Sequence, residues 1–158
     1  MAIVESTEFK STLPPAARLL GLDLGSKTIG LAISDSGLAV ASPLTTIRRR
    51  KFTADAEALM ALIAERGVGG LVLGLPKNMD GSEGPRAQST RQFAANLLEK
   101  IDIPIALWDE RLSTAAVERV LIDEVDMTRK RRGEVVDKMA ASVILQGFLD
   151  YLAHLPGS

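Results

Sequence analysis

Three acids in this 158-residue sequence stand at the margins of apolar stretches, where an ionised group needs a reason to be. Asp23 closes the run Arg18–Leu24, Glu110 follows the run Ile103–Trp108, and Asp137 lies early in the run from Glu134 to Leu152. An ionised carboxylate in apolar surroundings is costly unless a cation or hydrogen bonds meet it. Taken singly, each has a bland explanation. Asp23 is a satisfied structural acid or one corner of a charged site. Glu110 is a strand-end acid beside Arg111. Asp137 is an acid in the first turn of a helix, worth about 0.3–1 kcal/mol against the helix dipole. Together they have a chemistry: three carboxylates at one point repel unless some are protonated or cations hold them. Hard oxygen ligands select Mg²⁺ or Mn²⁺ over zinc. Two such ions about 3.5–4 Å apart activate a water and stabilise the leaving oxygen in phosphodiester cleavage.

The elements that must bring them together are legible in the hydrophobic pattern. Arg18–Leu24 and Thr28–Ile33 read as two apolar strands joined by Gly25-Ser26-Lys27, where Gly25 can take a positive φ without steric cost. Near-continuous apolar strands imply burial on both faces. A third strand, Leu38–Ile47, is interrupted by Ser42-Pro43, which suggests an edge or a bulge. Thr53 caps a predicted helix over Ala54–Arg66, ended by Gly67. Val68–Leu73 is a short buried strand, followed by the loop Gly74–Gly81 and a helix over Pro85–Lys100. Open α/β sheets place ligands in such loops, at the C-terminal ends of parallel strands, so Lys77 and Asn78 would face what binds. The strand Ile103–Trp108 leads to a helix from Ser113 to about Asp123. A polar stretch, Glu124–Gly133, reads as a mobile loop, and the last helix runs from Glu134 to about Leu152. On that helix Asp137 shares a stripe with Ala141, Ile144, Leu145 and Phe148.

The order βββαβαβαα gives a five-stranded mixed sheet with helices on both faces, an α/β arrangement that looks like the ribonuclease H-like fold. The strands ending at Asp23 and Glu110 would then converge on one edge, within reach of the start of the last helix. Residues 18–155 are expected to form a single domain. Residues 1–17, with Glu5, Glu8 and Pro14-Pro15, read as a flexible extension and not a secretory signal.

Composition excludes several chemistries. There is no Cys, so no disulfide, Cys-ligated zinc or thiol nucleophile, and the expected setting is reducing and cytoplasmic. With His154 as the only histidine, a Ser-His-acid triad or a multi-His metal site is hard to build. No apolar run reaches membrane-spanning length. Net charge is −1, but the basic residues cluster at Arg48–Lys51 and Arg129–Arg132, which matters more for a polyanion than the sum.

Four separated motifs resemble the YqgF/RuvX family of ribonuclease H-like, Holliday-junction-resolvase-like proteins: GLDLGSKTIGLAISD at 21–35, GLPKNMDGSEGPRA at 74–87, WDERLST at 108–114 and DKMAASVILQ at 137–146. The resemblance covers about Arg18 to Leu152. It implies a metal-dependent nuclease acting on the 5′ end of pre-16S rRNA, with Asp23, Glu110 and Asp137 as catalytic and metal-binding residues for Mg²⁺ or Mn²⁺. Asp23 would bridge the two ions. Lys77, Asn78, Arg86 and Arg111 would bind substrate. The implied partners are structured RNA, with branched DNA as the alternative, and a ribosomal precursor particle; a monomer and a homodimer are both open. Such sites often hold a fourth carboxylate. Lys138–Ala141 offer none, and Asp109 neighbours Glu110 in a strand, where side chains alternate between faces.

Two other readings carry their own signals. The D-x-G hairpin Asp23-Leu24-Gly25 also resembles the phosphate hairpin of actin-like ATPases and sugar kinases, but those enzymes need two domains around a nucleotide. A nucleic-acid-binding assembly factor that kept the fold without catalysis is the other; the intact acids weigh against it. With one Trp, one Tyr and four Phe, base stacking is not the expected recognition mode, and shape and backbone contacts are.

Overall fold

Arg18 to Leu75 lay down the centre of the sheet. Strand β1 (Arg18–Leu24) pairs antiparallel with β2 (Thr28–Ser34), which pairs antiparallel with β3 (Ala41–Arg48). Helix α2 (Phe52–Arg66) then returns the chain to β4 (Val68–Leu75), parallel to β1 on its other side. Helix α3 (Pro85–Leu98) leads to β5 (Ile105–Asp109), parallel to β4, and the last helix, α4, spans Arg129–Ala153. The strand order is β3-β2-β1-β4-β5. This computed structural model describes residues 3, 6–110 and 129–155, with side chains at 3, 8–110 and 138–155. The helix expected over Ser113–Asp123 lies outside the described residues.

The sheet has a core on each face, as its two-sided apolar strands require. Leu20, Leu22, Ile29, Leu31, Leu71 and Leu73 pack beneath α2 and α3. Leu19, Ala32, Val72, Ala106 and Trp108 face α4 through Ala141, Ile144, Leu145 and Phe148. All eight residues of β4 are buried, as a central strand with both faces covered must be. β3 is the edge, and the ladder slips between Leu31 and Ala32 where Pro43 pairs, so both of the roles expected of that proline are met.

Several local expectations are corrected. Gly25 does not carry a positive φ; among the described glycines Gly67 and Gly81 do. Gly25 is needed for a close approach: a Cβ there would stand 3.1 Å from the Thr28 carbonyl, which accepts the Gly25 N–H at 2.8 Å. Thr53 lies inside α2, whose N-cap is Lys51, and Asp55 reaches back to accept the Arg50 N–H at 3.0 Å. The basic run Arg129–Arg132 lies within α4, not in a loop. Arg and Lys are good helix formers, and a packed helix carries its pattern past Gly133. Asp35 braces the β2–β3 connection by accepting from Val40 and Ala39 N–H groups at 3.0 and 2.8 Å. Those bonds hold its carboxyl below its ordinary value, so the brace stands at neutral pH and is lost as pH falls through the lowered value.

The chain ahead of β1 also differs from a loose extension. Phe9, in the short helix α1 (Ser6–Phe9), is fully buried, edge-on to Phe148 at 5.3 Å, and its ring fills the space over Gly70. Replacing Phe9 by Ala should therefore destabilise the protein by about 3–5 kcal/mol in urea unfolding. A loss under about 1 kcal/mol would show that this segment is not part of the core.

Candidate active site

Asp23 is the last acid of β1 and is only 2% exposed. Side chains alternate along a strand, so Asp23 shares its face with Leu19 and Gly21, the face that α4 covers. The β1–β4 register pairs Leu22 with Leu73, which sets Asp23 beside Gly74 on the neighbouring strand, roughly 4.8 Å away across the ladder. Gly74 pairs on its other side with Trp108 of β5. Two residues past Trp108, Glu110 turns back over β4: a Cβ on Gly74 would meet Glu110 Oε1 at 2.8 Å and its Cγ at 3.1 Å. The same Cβ would meet Ile144 Cδ1 of α4 at 2.7 Å. Asp23 and Glu110 thus reach one place from strands that are not neighbours, and Gly74 is the floor between them.

Helix α4 is oriented toward that place. Ile144 sits on Gly74 at the C-terminal end of the parallel strands, and one turn later Phe148 sits against Phe9, which covers Gly70 at the other end. Earlier turns of α4 therefore lie toward Asp23 and Glu110. Asp137 is one turn before Ala141, whose carbonyl oxygen is 3.2 Å from a Cβ placed on Gly21. The side chain of Asp137 lies outside the described residues. Among the described residues no group of three acids or histidines gathers; Asp23 and Glu110 each lie beside Gly74. The donors are all carboxylate oxygens, which suits a hard divalent ion. His154, just past the end of α4, donates from Nδ1 to the Asp150 carbonyl at 2.7 Å and belongs to the far end of the helix.

The remaining residues expected to bind substrate fall in three places. Arg86, in the first turn of α3, donates from Nη2 to the Leu24 carbonyl at 3.4 Å, which ties it to the residue after Asp23. Lys77 and Asn78 lie in the β4–α3 loop. Asn78 donates its side-chain amide to Ser82 Oγ at 3.0 Å, and its backbone N–H to the Ser82 carbonyl at 2.9 Å, so it shapes the loop. Glu83 in the same loop takes both Nε and Nη2 of Arg91, at 2.5 and 2.7 Å. That fork, with Lys77 adding attraction, holds the Glu83 carboxyl below its usual range. Arg111 lies outside the described residues. A separate cleft, lined by Arg18, Ser36, Glu65 and Arg66, opens at the opposite end of β1 and has no part in this site.

The sequence reading missed Gly74 as a site residue. It sits in VGGLVLGL, where nothing distinguishes it from a glycine of a tight strand. The hydrophobic pattern places it at the start of the loop Gly74–Gly81, whereas β4 runs on to Leu75 and keeps it in the sheet. Gly74→Ala must push Glu110 and Ile144 aside. It should lower stability by about 1–3 kcal/mol through overpacking, measured in denaturant, while the five-stranded far-UV signature is retained. Unchanged stability would mean that Glu110 moves freely over this floor.

Residues 17–151 match a family model described as RuvX: Holliday junction resolvase. A relative from Paramagnetospirillum magneticum, named "Putative pre-16S rRNA nuclease", is 63% identical over 150 residues, covering 95% of this chain and 96% of its own. Relatives of the same name from Rhodospirillum rubrum and Phenylobacterium zucineum are 60% and 58% identical, over 96% and 98% of this chain and 94% and 100% of theirs. Among solved structures, T. thermophilus RuvC in complex with a Holliday junction substrate superposes with a TM-score of 0.55 at 8% identity, over 88% of this chain and 98% of that one. RuvC alone gives 0.52 at 9% identity, over 86% and 96%. Identity this low shows a shared fold, and that fold is the ribonuclease H-like one expected from the strand order. The chain belongs to the RuvX Holliday junction resolvase family, a family of phosphodiester hydrolases.

Proposed function

We propose that this protein is a divalent-metal-dependent nuclease of the cytoplasm that trims the 5′ end of the 16S rRNA precursor. The observation that carries the reading is the convergence of Asp23 and Glu110 across the bare backbone of Gly74. Support for the substrate comes from the relatives named for pre-16S rRNA, which match over nearly their whole length. Asp23, Glu110 and Asp137 are the residues that would hold Mg²⁺ or Mn²⁺. When bound, such an ion would polarise the phosphate and lower the pKa of an attacking water.

The chain's own residues do the rest. The buried setting of Asp23 keeps its carboxylate fixed and excludes bulk water, which strengthens every charge interaction there. Glu110 closes the site from the β5 side. Lys77, Asn78, Arg86 and Arg111 orient the strand so that one phosphodiester lies over the acids. The runs Arg48–Lys51 and Arg129–Arg132 supply further phosphate contacts. The second run lies within α4. Binding should weaken steeply with salt.

Branched DNA is the second reading, favoured by the description of the matching family. One assay separates them. Wild type and Asp23→Asn are offered a short RNA copying a 16S precursor 5′ end and, separately, a four-way DNA junction, with Mg²⁺, with Mn²⁺ and with a chelator. RNA cleavage that needs the ion and drops about 100-fold or more in the variant is the expected result, the scale of losing one group that stabilises transition-state charge. Symmetric cleavage of the junction alone would transfer the assignment to DNA. Equal rates for the two proteins would overturn the role of Asp23.

A further inference from the structure

At the tip of the β1–β2 hairpin, immediately after Asp23, two arginines from separate elements enter one hollow of about 210 Å³. Its walls are Ser26, Arg49, Arg86, Ser89 and Thr90 over the backbone of Leu24-Gly25. Arg49 follows β3. Its backbone N–H donates to the Lys27 carbonyl at 2.8 Å, and Nη1 donates to the Gly25 carbonyl at 2.6 Å. Its guanidinium lies over Phe93, 5.7 Å from the ring centre. Arg86 comes from α3 and reaches the Leu24 carbonyl. Each guanidinium has five N–H donors and gives one of them to the hairpin in these bonds. Among the described residues no carboxylate is ion-paired with either, and no acid lines the hollow. Thr90 spends its hydroxyl on the Arg86 carbonyl, which leaves the Ser26 and Ser89 hydroxyls at the rim.

We propose that this hollow is a phosphate subsite that receives the oxyanion of one phosphate group next along the strand from the phosphodiester being cut. The inference rests on the nuclease reading for the word "next". The chemistry of the hollow rests on its own residues. Two cations held side by side repel, and an anion between them removes that cost. Guanidinium forks match phosphate oxygens in a way a single ammonium does not. Arg49 is held in advance by Phe93 and Gly25, so little freedom is lost when it binds. A base is a poor occupant. The hollow falls below the roughly 300–1,000 Å³ of small-molecule sites, and Phe93, the nearby ring, is covered by Arg49. The phosphate has two sources, an internal diester of the strand or a terminal 5′-monophosphate.

The test is binding of the full chain to two RNA oligonucleotides of one sequence, 5′-hydroxyl and 5′-monophosphate, by fluorescence anisotropy in chelator across a salt series. Arg49→Gln, Arg86→Gln, their double variant and Arg49→Lys are compared with wild type, each with its melting curve. Each Gln variant should weaken binding about tenfold or more, as loss of a charged hydrogen bond does. The double variant should lower the slope of log K against log salt by about 0.7, the value for one single-strand phosphate. Arg49→Lys should keep that slope and still bind more weakly. Equal losses on both RNAs identify an internal diester; losses confined to the 5′-monophosphate identify a terminal one. A slope loss of about 1.4 in the double variant would mean two separate phosphates and would overturn the shared subsite. So would wild-type affinity in Arg86→Gln, which tests the hollow even if Arg49→Gln unfolds. Cleavage separates the two proposals: a wild type that cuts RNA while the variants bind normally refutes the subsite alone, whereas a wild type that cuts nothing while the variants lose slope refutes the nuclease reading alone.

Discussion

The structure depends on how closely α4 lies on the sheet. A methyl group at Gly21 would stand 2.8 Å from Leu145 Cβ, and one at Gly74 would stand 2.7 Å from Ile144. At both points backbone meets side chain with no room for another carbon. That contact seals one core, with Phe148 and Leu149 filling the space between helix and sheet. It also sets the depth of the site. A helix riding higher on larger residues would lift its first turns away from Asp23 and Glu110. The small residues Ala140 and Ala141 on the helix complete the same fit from the other side.

Much of this could be read in the chain. Two-sided apolar strands, the edge proline at Pro43, the glycine ending α2 and the strand-helix alternation led to the sheet and its order. Asp23 and Glu110 stood out because an acid at the end of a buried strand breaks a pattern. What pattern could not carry was contact across strands. Gly74 looks like any glycine in VGGLVLGL; its meaning lies in Glu110, thirty-six residues on and one strand over. Phe9 was hidden for the same reason, since its partner Phe148 lies at the other end of the chain. The boundary of α4 was missed because Arg129–Arg132 looks like a solvated charge run, and only the packed helix behind it makes that turn helical.

Arg49 and Arg86 show a third kind of limit. Each was visible as a basic residue near a predicted element end, one in RRRK and one in GPRA. Nothing in their spacing joins them, because the junction is made by the hairpin: Gly25 offers its carbonyl to one and Leu24 to the other. The turn that ends β1 therefore does more than reverse the chain. It fixes the distance between the buried acid and the two cations beyond it.

That distance explains why opposite charges crowd one end of the sheet. Carboxylates at the strand ends repel a phosphate, so acids alone would keep a nucleic acid strand away from its own site. Guanidiniums at the hairpin attract the strand but cannot hold a divalent ion. With the acids at the strand ends and the arginines at the hairpin, a nucleic acid strand would be drawn in by groups that do not compete with an ion for the carboxylates. Under the proposed reading, Asp23 and Glu110 would hold a divalent ion, which would cancel charge that otherwise repels a phosphate. Each occupant would then favour the other, and by linkage the two affinities would rise together. Covalent continuity from Asp23 to Gly25 makes this coupling mechanical as well as electrostatic: the acid and the carbonyls that anchor both arginines belong to one short turn.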